Sequence, residues 1–410
     1  MSLLVLFIAA IFVYSLVSGR LERSVVTAPI VFTGLGMVAF LVIRLESDGA
    51  VGAELFLTLA ELGLVLLLFT DASRTNLLVL KDIRNLPSRL LSIGMLSTIL
   101  LGALGALVLF RQLSIWEAGI LAAILAPTDA GLGQIIVTSP RVPLKIREAL
   151  NVEAGLNDGL SVPFLLFFIA MVGPGGESRD AGLLQYVVEQ LGFGVMVGVA
   201  IGLAGGALIG LAHRKGWMAE SWQRLGVVAL PLLCALASEA VGASMFIAAF
   251  VAGLAVQIYF KRAGKHSVEF AEESGQLINL SVFFLFGLLV ARAWGQFEPS
   301  HFVYAVLSLT VVRMAPVALA LLGTGLSWAT VLFMGWFGPR GLASIVLGLV
   351  YLQGADSAVS DTIRLVVIAT VLLSIFAHGL SAKPGIGWYA RAAAKLGADA
   401  PENLIKRSAG

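Results

Sequence analysis

The sequence predicts an all-α polytopic membrane protein, and three observations predict it. Hydrophobic residues make up 59% of the 410 residues, charged residues only 13%, and the mean hydropathy is +0.96; a soluble domain has about 45–50% apolar and 25% charged residues. The apolar residues fall in long runs without the period-two alternation of a membrane β-strand. The basic residues gather between alternate runs. This composition excludes a soluble globular chain and a disordered one. The single cysteine, Cys234, lies in an apolar run and excludes a disulfide scaffold. A net charge of +2 gives no sign of a nucleic-acid partner; the partner implied is the lipid bilayer.

Taken in order, thirteen runs are candidate spans: 2–18, 27–43, 52–70, 90–110, 116–137, 149–172, 183–212, 225–241, 243–260, 275–291, 300–322, 327–352 and 362–382. Loop charge tests the count. With the N-terminus outside, the inner loops and tail hold 20 of the 27 basic residues, among them Arg20, Arg23, Arg74, Lys81, Arg84, Arg89, Arg141, Lys145, Arg147, Lys261 and Arg262. The outer loops hold five: Arg44, Arg111, Arg179, Arg292 and Arg364. This positive-inside bias supports thirteen transmembrane helices, N-terminus out and C-terminus in. The first run lacks a positive n-region and reads as a retained helix, not a signal peptide. Residues 1–382 form the membrane transport domain and 383–410 a short cytoplasmic tail.

If the seventh run, 183–212, is a linker helix, residues 1–172 and 225–382 form two six-helix halves. An odd linker inverts the second half relative to the first, giving two inverted repeats. The linker carries Gly194, Gly198, Gly202, Gly206 and Gly210 at a spacing of four, a smooth stripe suited to close helix packing, with a hinge as the alternative. The fifth run contains Ala126-Pro127-Thr128-Asp129-Ala130-Gly131 and the twelfth contains Gly335-Trp336-Phe337-Gly338-Pro339-Arg340-Gly341. Proline and glycine should open both helices, and non-helical backbone at membrane depth needs protein cover or a cavity. Broken helices 5 and 12 then occupy matching places in the two repeats, the pattern that marks a transporter site.

Charges at the bilayer centre cost about 2.5–3.5 kcal/mol each and mark function by default. Here they are Glu61, Asp129, Glu153, Asp158, Arg313 and Arg340. Unpaired, the six would cost roughly 15–20 kcal/mol, so some must pair and the rest face water or substrate. Glu153 and Asn157 are four apart and share one helix face, while Asp158 lies about 140° round from Glu153. One helix thus offers carboxylates to two neighbours: Asp158 to the opened fifth helix, Glu153 to Arg313. Glu153 and Arg313 read as a structural ion pair. Arg340 reads as support for the broken helix, capping carbonyls. Asp158 is the functional carboxylate. Asp129 either binds the ion or caps helix ends, Asn157 is either a ligand or a brace, and Glu61 is either a pathway carboxylate or polar packing. His213, His266 and His301 read as loop or interface residues, and His378 lies near the inner end of the last span.

Through Pro127-Thr128-Asp129, Glu153-Ala154-Gly155-Leu156-Asn157-Asp158, Arg313 in Val-Val-Arg-Met-Ala-Pro, and Gly338-Pro339-Arg340-Gly341, the chain resembles the cation:proton antiporter-1 family, specifically the prokaryotic NhaP-type sodium/proton antiporters. The resemblance spans all thirteen runs. It implies a homodimer in a prokaryotic cytoplasmic membrane, with broken helices 5 and 12 crossing in a mobile core domain that moves like an elevator. It implies that Asp158 binds Na⁺ or H⁺, that Thr128 and Asp129 add oxygens to the Na⁺ site directly or through water, and that Glu153 pairs with Arg313. Glu61 matches a third-span glutamate near the cytoplasmic funnel only loosely. The Asn157-Asp158 pair matches electroneutral members. Ala154 stands where the family often has serine, which leaves room for a water ligand or for K⁺ in place of Na⁺ or Li⁺. The expected activity is exchange of a monovalent cation for H⁺, with no cofactor and no enzymatic reaction. The rivals are an intramembrane aspartyl protease using Asp129 and Asp158, disfavoured because the expected Gly-x-Gly-Asp reads Gly155-Leu156-Asn157-Asp158 here, and a passive cation channel or ion sensor.

Overall fold

The computed structural model describes residues 3–21, 24–43, 49–74, 85–172, 180–259, 265–352, 358–397 and 399–403. Of the loop cations counted above, Arg23, Arg44, Lys81, Arg84, Arg179, Lys261, Arg262, Lys406 and Arg407 lie outside these residues. All regular structure among the described residues is helical. The helices are α1 (Leu3–Leu21), α2 (Ala28–Ile43), α3 (Gly49–Arg74), α4 (Asn85–Leu109), α5 (Ile115–Ile124), α6 (Ala130–Val137), α7 (Leu144–Val172), α8 (Asp180–Arg214), α9 (Glu220–Ala240), α10 (Met245–Val256), α11 (Lys265–Ala293), α12 (Pro299–Ala320), α13 (Trp328–Trp336), α14 (Leu342–Leu352) and α15 (Ala358–Ala393). Each of the thirteen apolar runs holds helix. By length and composition, nine described helices are able to cross a membrane, and four shorter apolar ones accompany them.

Local chemistry sets several boundaries. Ser114 and Glu117 form a capping box at the start of α5. Ser327 caps α13, accepting the Thr330 N–H at 3.3 Å. Gly216 closes α8 at φ 68°, a conformation that costs glycine no steric penalty. The fifth run divides into α5 and α6, with residues 125–129 outside helix, and the twelfth into α13 and α14, with residues 337–341 outside helix.

Packing groups the chain into two compact units. One holds Met1–Leu57, Leu77–Asn157 and Leu280–Gly410; the other holds Thr58–Asn76 and Asp158–Asn279. The divisions at 57/58, 157/158 and 279/280 fall within α3, α7 and α11. Both units draw on both halves of the sequence, because packing and repeat symmetry are separate properties of a chain.

In the first unit, Ile136, Ile146, Leu150, Val317, Phe333, Met334, Ile386 and Tyr389 form a buried core around both interrupted helices. The last helix runs past residue 382 to Ala393, with Pro384 inside it. Packing carries it beyond the proline: Tyr389 stacks on Phe333 at 4.2 Å between ring centres, and Ile386 is buried. The tail then folds back. Glu402 is buried and accepts the Ser327 N–H and the Thr330 hydroxyl, both at 2.8 Å. The Lys145 ammonium donates to the Pro401 carbonyl at 2.7 Å.

In the second unit the glycine stripe lies against α10. A Cβ built on Gly198, Gly202 or Gly206 would stand 2.5, 2.7 or 3.0 Å from the carbonyl oxygens of Ala248, Ala252 and Val256. The two helices thus meet backbone to backbone, as small residues permit.

Candidate functional site

The site is built where the two interrupted helices of the first unit meet. Pro127 cannot donate a helical hydrogen bond, and the chain from Ala126 to Asp129 leaves helical geometry, with Asp129 at φ −79°, ψ 118°. Pro339 and its flanking glycines do the same between α13 and α14. The freed backbone groups are then paired across the two breaks, which buried polar groups require. The Asp129 N–H donates to the Pro339 carbonyl at 2.8 Å.

Asp129 caps two helices at once. One carboxylate oxygen accepts the Leu132 N–H of α6 at 2.7 Å, and the other accepts the Leu342 N–H of α14 at 2.6 Å. The positive ends of two helix dipoles thus face one carboxylate. Arg340 does the complementary work. It is fully buried, and one guanidinium nitrogen donates to the Pro127 carbonyl at 3.1 Å and the Gly338 carbonyl at 3.3 Å. The glycines of the second break are sterically required: a Cβ on Gly341 would overlap the Asp129 carboxylate, and one on Gly338 would overlap the Arg313 guanidinium.

Arg313 and Glu153 form a two-pronged ion pair, Nη1 to Oε1 at 2.5 Å and Nη2 to Oε2 at 3.0 Å, with both side chains buried. The fork geometry is the strong form of this contact. Asn157, one turn further along α7, grips Thr128 twice: its carbonyl oxygen accepts the Thr128 N–H at 3.2 Å, and its amide donates to the Thr128 hydroxyl at 2.7 Å. Thr128, Asp129, Glu153, Ala154, Asn151 and Pro339 help to line a cavity of about 20 Å³, enough for one water-sized species. Ala154 gives this wall a methyl group and no oxygen.

Of the residues singled out from sequence, Thr128, Asp129, Glu153, Asn157, Arg313 and Arg340 come together in the first unit. Asp158 is buried and follows Asn157 directly on α7, at the start of the second unit's share of the chain. Glu61 is partly buried in α3, also in the second unit. Among the described residues, no three His, Cys, Asp or Glu side chains converge as for a resident metal ion. Two contributors escaped the sequence reading. Ser374 accepts the Arg340 backbone N–H at 2.6 Å; its signal was one of several polar residues in the last span, with Thr370, His378 and Ser381. Glu402 braces the start of α13 from the tail and carried no local signal.

Known proteins agree with this architecture. The solved sodium proton antiporter MjNhaP1 of Methanocaldococcus jannaschii superposes with a TM-score of 0.78 over 94% of this chain and 97% of that one, at 21% identity. A probable Na⁺/H⁺ antiporter of Schizosaccharomyces pombe is 27% identical over 260 residues, 59% of this chain and 34% of its own length, so the chain spans about a third of that relative. A K⁺/H⁺ antiporter NhaP of Alkalimonas amylolytica is 26% identical over 404 residues, 94% of this chain and 67% of its own. The sequence model of the transmembrane sodium/hydrogen exchanger matches residues 4–386. With the paired breaks and this match over nearly its whole length, the chain belongs to the sodium/hydrogen exchanger family.

Proposed function

We propose that the protein is a secondary antiporter that exchanges a monovalent cation for H⁺, with Asp158 as the carboxylate for which the two compete. One observation carries this reading: α7 places Asn157 on the Thr128 backbone and hydroxyl at the first break, and Asp158 is the buried residue that follows. Thr128, Asp129 and Pro339 of the two breaks border a space for one small species, and oxygen donors suit hard cations. Asp129 has both oxygens committed to helix N-termini, so its part is to fix the crossing and to contribute to the ion through water. Thr128 shapes the oxygen environment, Glu153 with Arg313 ties α7 to α12, and Glu61 is assigned to the entry pathway.

Asp158 binds one proton or one cation. Loaded, the site is near neutral and able to cross; empty and charged, it faces a large desolvation cost. One charge moves each way, so exchange is electroneutral and the membrane potential, with leverage of about 2.3 kcal/mol per charge per 100 mV, does no net work. The wider reading is thirteen spans, N-terminus out, two inverted repeats joined by α8, elevator-like alternating access, a homodimer, and a prokaryotic cytoplasmic membrane. Na⁺ is the first choice of ion. K⁺ is the second reading, favoured by the Ala154 methyl on the cavity wall, which leaves one position to water.

The test uses purified protein in liposomes that hold a pH gradient and a trapped pH dye. Na⁺, Li⁺ or K⁺ is added outside, with and without a clamped potential. Dye recovery that depends on the cation and ignores the potential supports electroneutral antiport and names the ion. Recovery that shifts with the potential replaces it with electrogenic exchange. No response from folded protein removes the antiporter reading and returns the channel and protease readings.

A further inference from the structure

We infer that Ser374, His378 and Ser381 on α15 are positioning residues that clamp the second break, so that its geometry, and with it the affinity of the cation site, depends on a polar stripe outside that site. The inference rests on the antiporter reading for its transport consequence only. The three residues recur at i, i+4 and i+7 and so share one helix face. Ser374 and His378 are fully buried. Each contacts the chain on one side of the non-helical stretch 337–341. On the α14 side, the Arg340 N–H donates to the Ser374 hydroxyl at 2.6 Å. On the α13 side, His378 Nε2 lies 2.9 Å from the Trp336 carbonyl. His378 Nδ1 lies 3.0 Å from the Ser374 carbonyl and 3.1 Å from the Ser374 hydroxyl. Both ring nitrogens therefore face a carbonyl, which accepts only, and the ring sits between Ser374 and Trp336.

The result is a continuous relay. The Arg340 N–H donates to the Ser374 hydroxyl, Ser374 lies against His378 Nδ1, and His378 Nε2 lies against the last helical carbonyl of α13. Trp336 is held a second time, since its indole N–H donates to the Ser381 hydroxyl at 2.9 Å. Its ring also lies 5.1 Å from the His378 ring, centre to centre. Both ends of the break are therefore fixed to one rigid helix, α15. The two backbone groups it satisfies are ones that proline and glycine have freed from helical pairing. The hydrogen bonds of the stripe go to Arg340 and Trp336 and not to Thr128 or Asn157, so it acts through Arg340 and Trp336.

The test compares wild type with Ser374→Ala, His378→Ala, the double variant and His378→Gln, each as full-length protein. Amide hydrogen exchange over residues 337–345 reads the clamp itself and needs no transport. Each alanine variant should raise exchange there at least tenfold, with the peptides of α8 and α10 unchanged. In liposomes, the cation KM should rise about tenfold and kcat change less than twofold. The double variant should match the worse single one, because a relay fails as a unit. His378→Gln keeps a donor for the Trp336 carbonyl and should recover part of the affinity. Uniformly faster exchange, additive losses, or a fall in kcat at unchanged KM would overturn the inference in favour of plain packing. A wild type with no transport but a protected break would remove the antiporter reading and leave the clamp standing.

Discussion

The two compact units hold their helices together in opposite ways. In the second, α8 and α10 are continuous, their backbone hydrogen bonds are internal, and glycine after glycine brings them into direct contact. The contact between them is one of backbone and small side chains. In the first, two helices are interrupted, and each interruption leaves backbone groups that lipid cannot satisfy. Named side chains take up several of these groups: Asp129 for two amides, Arg340 for two carbonyls, Ser374 for one amide. A helix that is left whole is held by shape. A helix that is opened must be held by charge and hydrogen bonds, and that is where a cation is able to find oxygen.

Substitutions can break this contrast. The largest effect is expected at Asp158: Asp158→Asn should abolish exchange while leaving the melting temperature near that of wild type. Loss of fold instead would mean that the carboxylate is structural. Next is Glu153→Ala, which strands Arg313 in a buried site; breaking such a pair costs about 3–5 kcal/mol, read as a large drop in thermal stability. Replacing both partners by apolar residues should restore most of that stability and still impair transport. In the second unit, Gly202→Val places carbon where the Ala252 carbonyl stands. Overpacking costs about 1–3 kcal/mol, and helix propensity returns only about 1 kcal/mol or less. Thermal melting should fall with little change in KM, since no oxygen of the site is touched.

The tail should give the smallest effect. Burial pushes the Glu402 carboxyl up, but hydrogen bonds from the Ser327 N–H and the Thr330 hydroxyl outweigh it and hold the group below its usual value of 4.5. A depressed carboxylate contributes stability that is present above its unfolded pKa and is lost as pH falls through the folded one. The tail should therefore stay docked through the neutral range and release only in acid below the usual carboxylate range. Glu402→Ala should release it at neutral pH, at a cost of about 1–3 kcal/mol, detected as faster proteolysis after residue 393.

The breaks were legible because proline and glycine act locally: Pro127, and Gly338 with Pro339 and Gly341, weaken helix where they cluster, whereas the lone Pro384 stays inside α15. Opposite charges in apolar runs were legible too, since Glu153 and Arg313 need partners wherever they lie. The double duty of Asp129 was not. Its second amide belongs to Leu342, 213 residues away, and no local pattern encodes that register. Nor was the 374, 378 and 381 stripe, because a serine bonded to its own helix leaves the same trace in sequence. The tail read as an appendage, since a lone Glu402 beyond the last apolar run says nothing about the amide it caps. The sequence also placed the end of the last helix at 382, where hydropathy falls, although aromatic packing of Tyr389 on Phe333 carries it to Ala393.

The central claim is that cation and proton compete for one carboxylate, and the dependence of transport on pH tests it most directly. Initial rates would be measured over a range of cation concentrations at each pH from 5 to 9, in wild type and in Asp158→Glu. Competition predicts that KM rises about tenfold for each unit of acidification below the carboxylate's pKa, with the maximal rate unchanged, and that the profile shifts along the pH axis in Asp158→Glu. A maximal rate that falls in acid at constant KM, unmoved by that substitution, would contradict the account and put the proton on a different group.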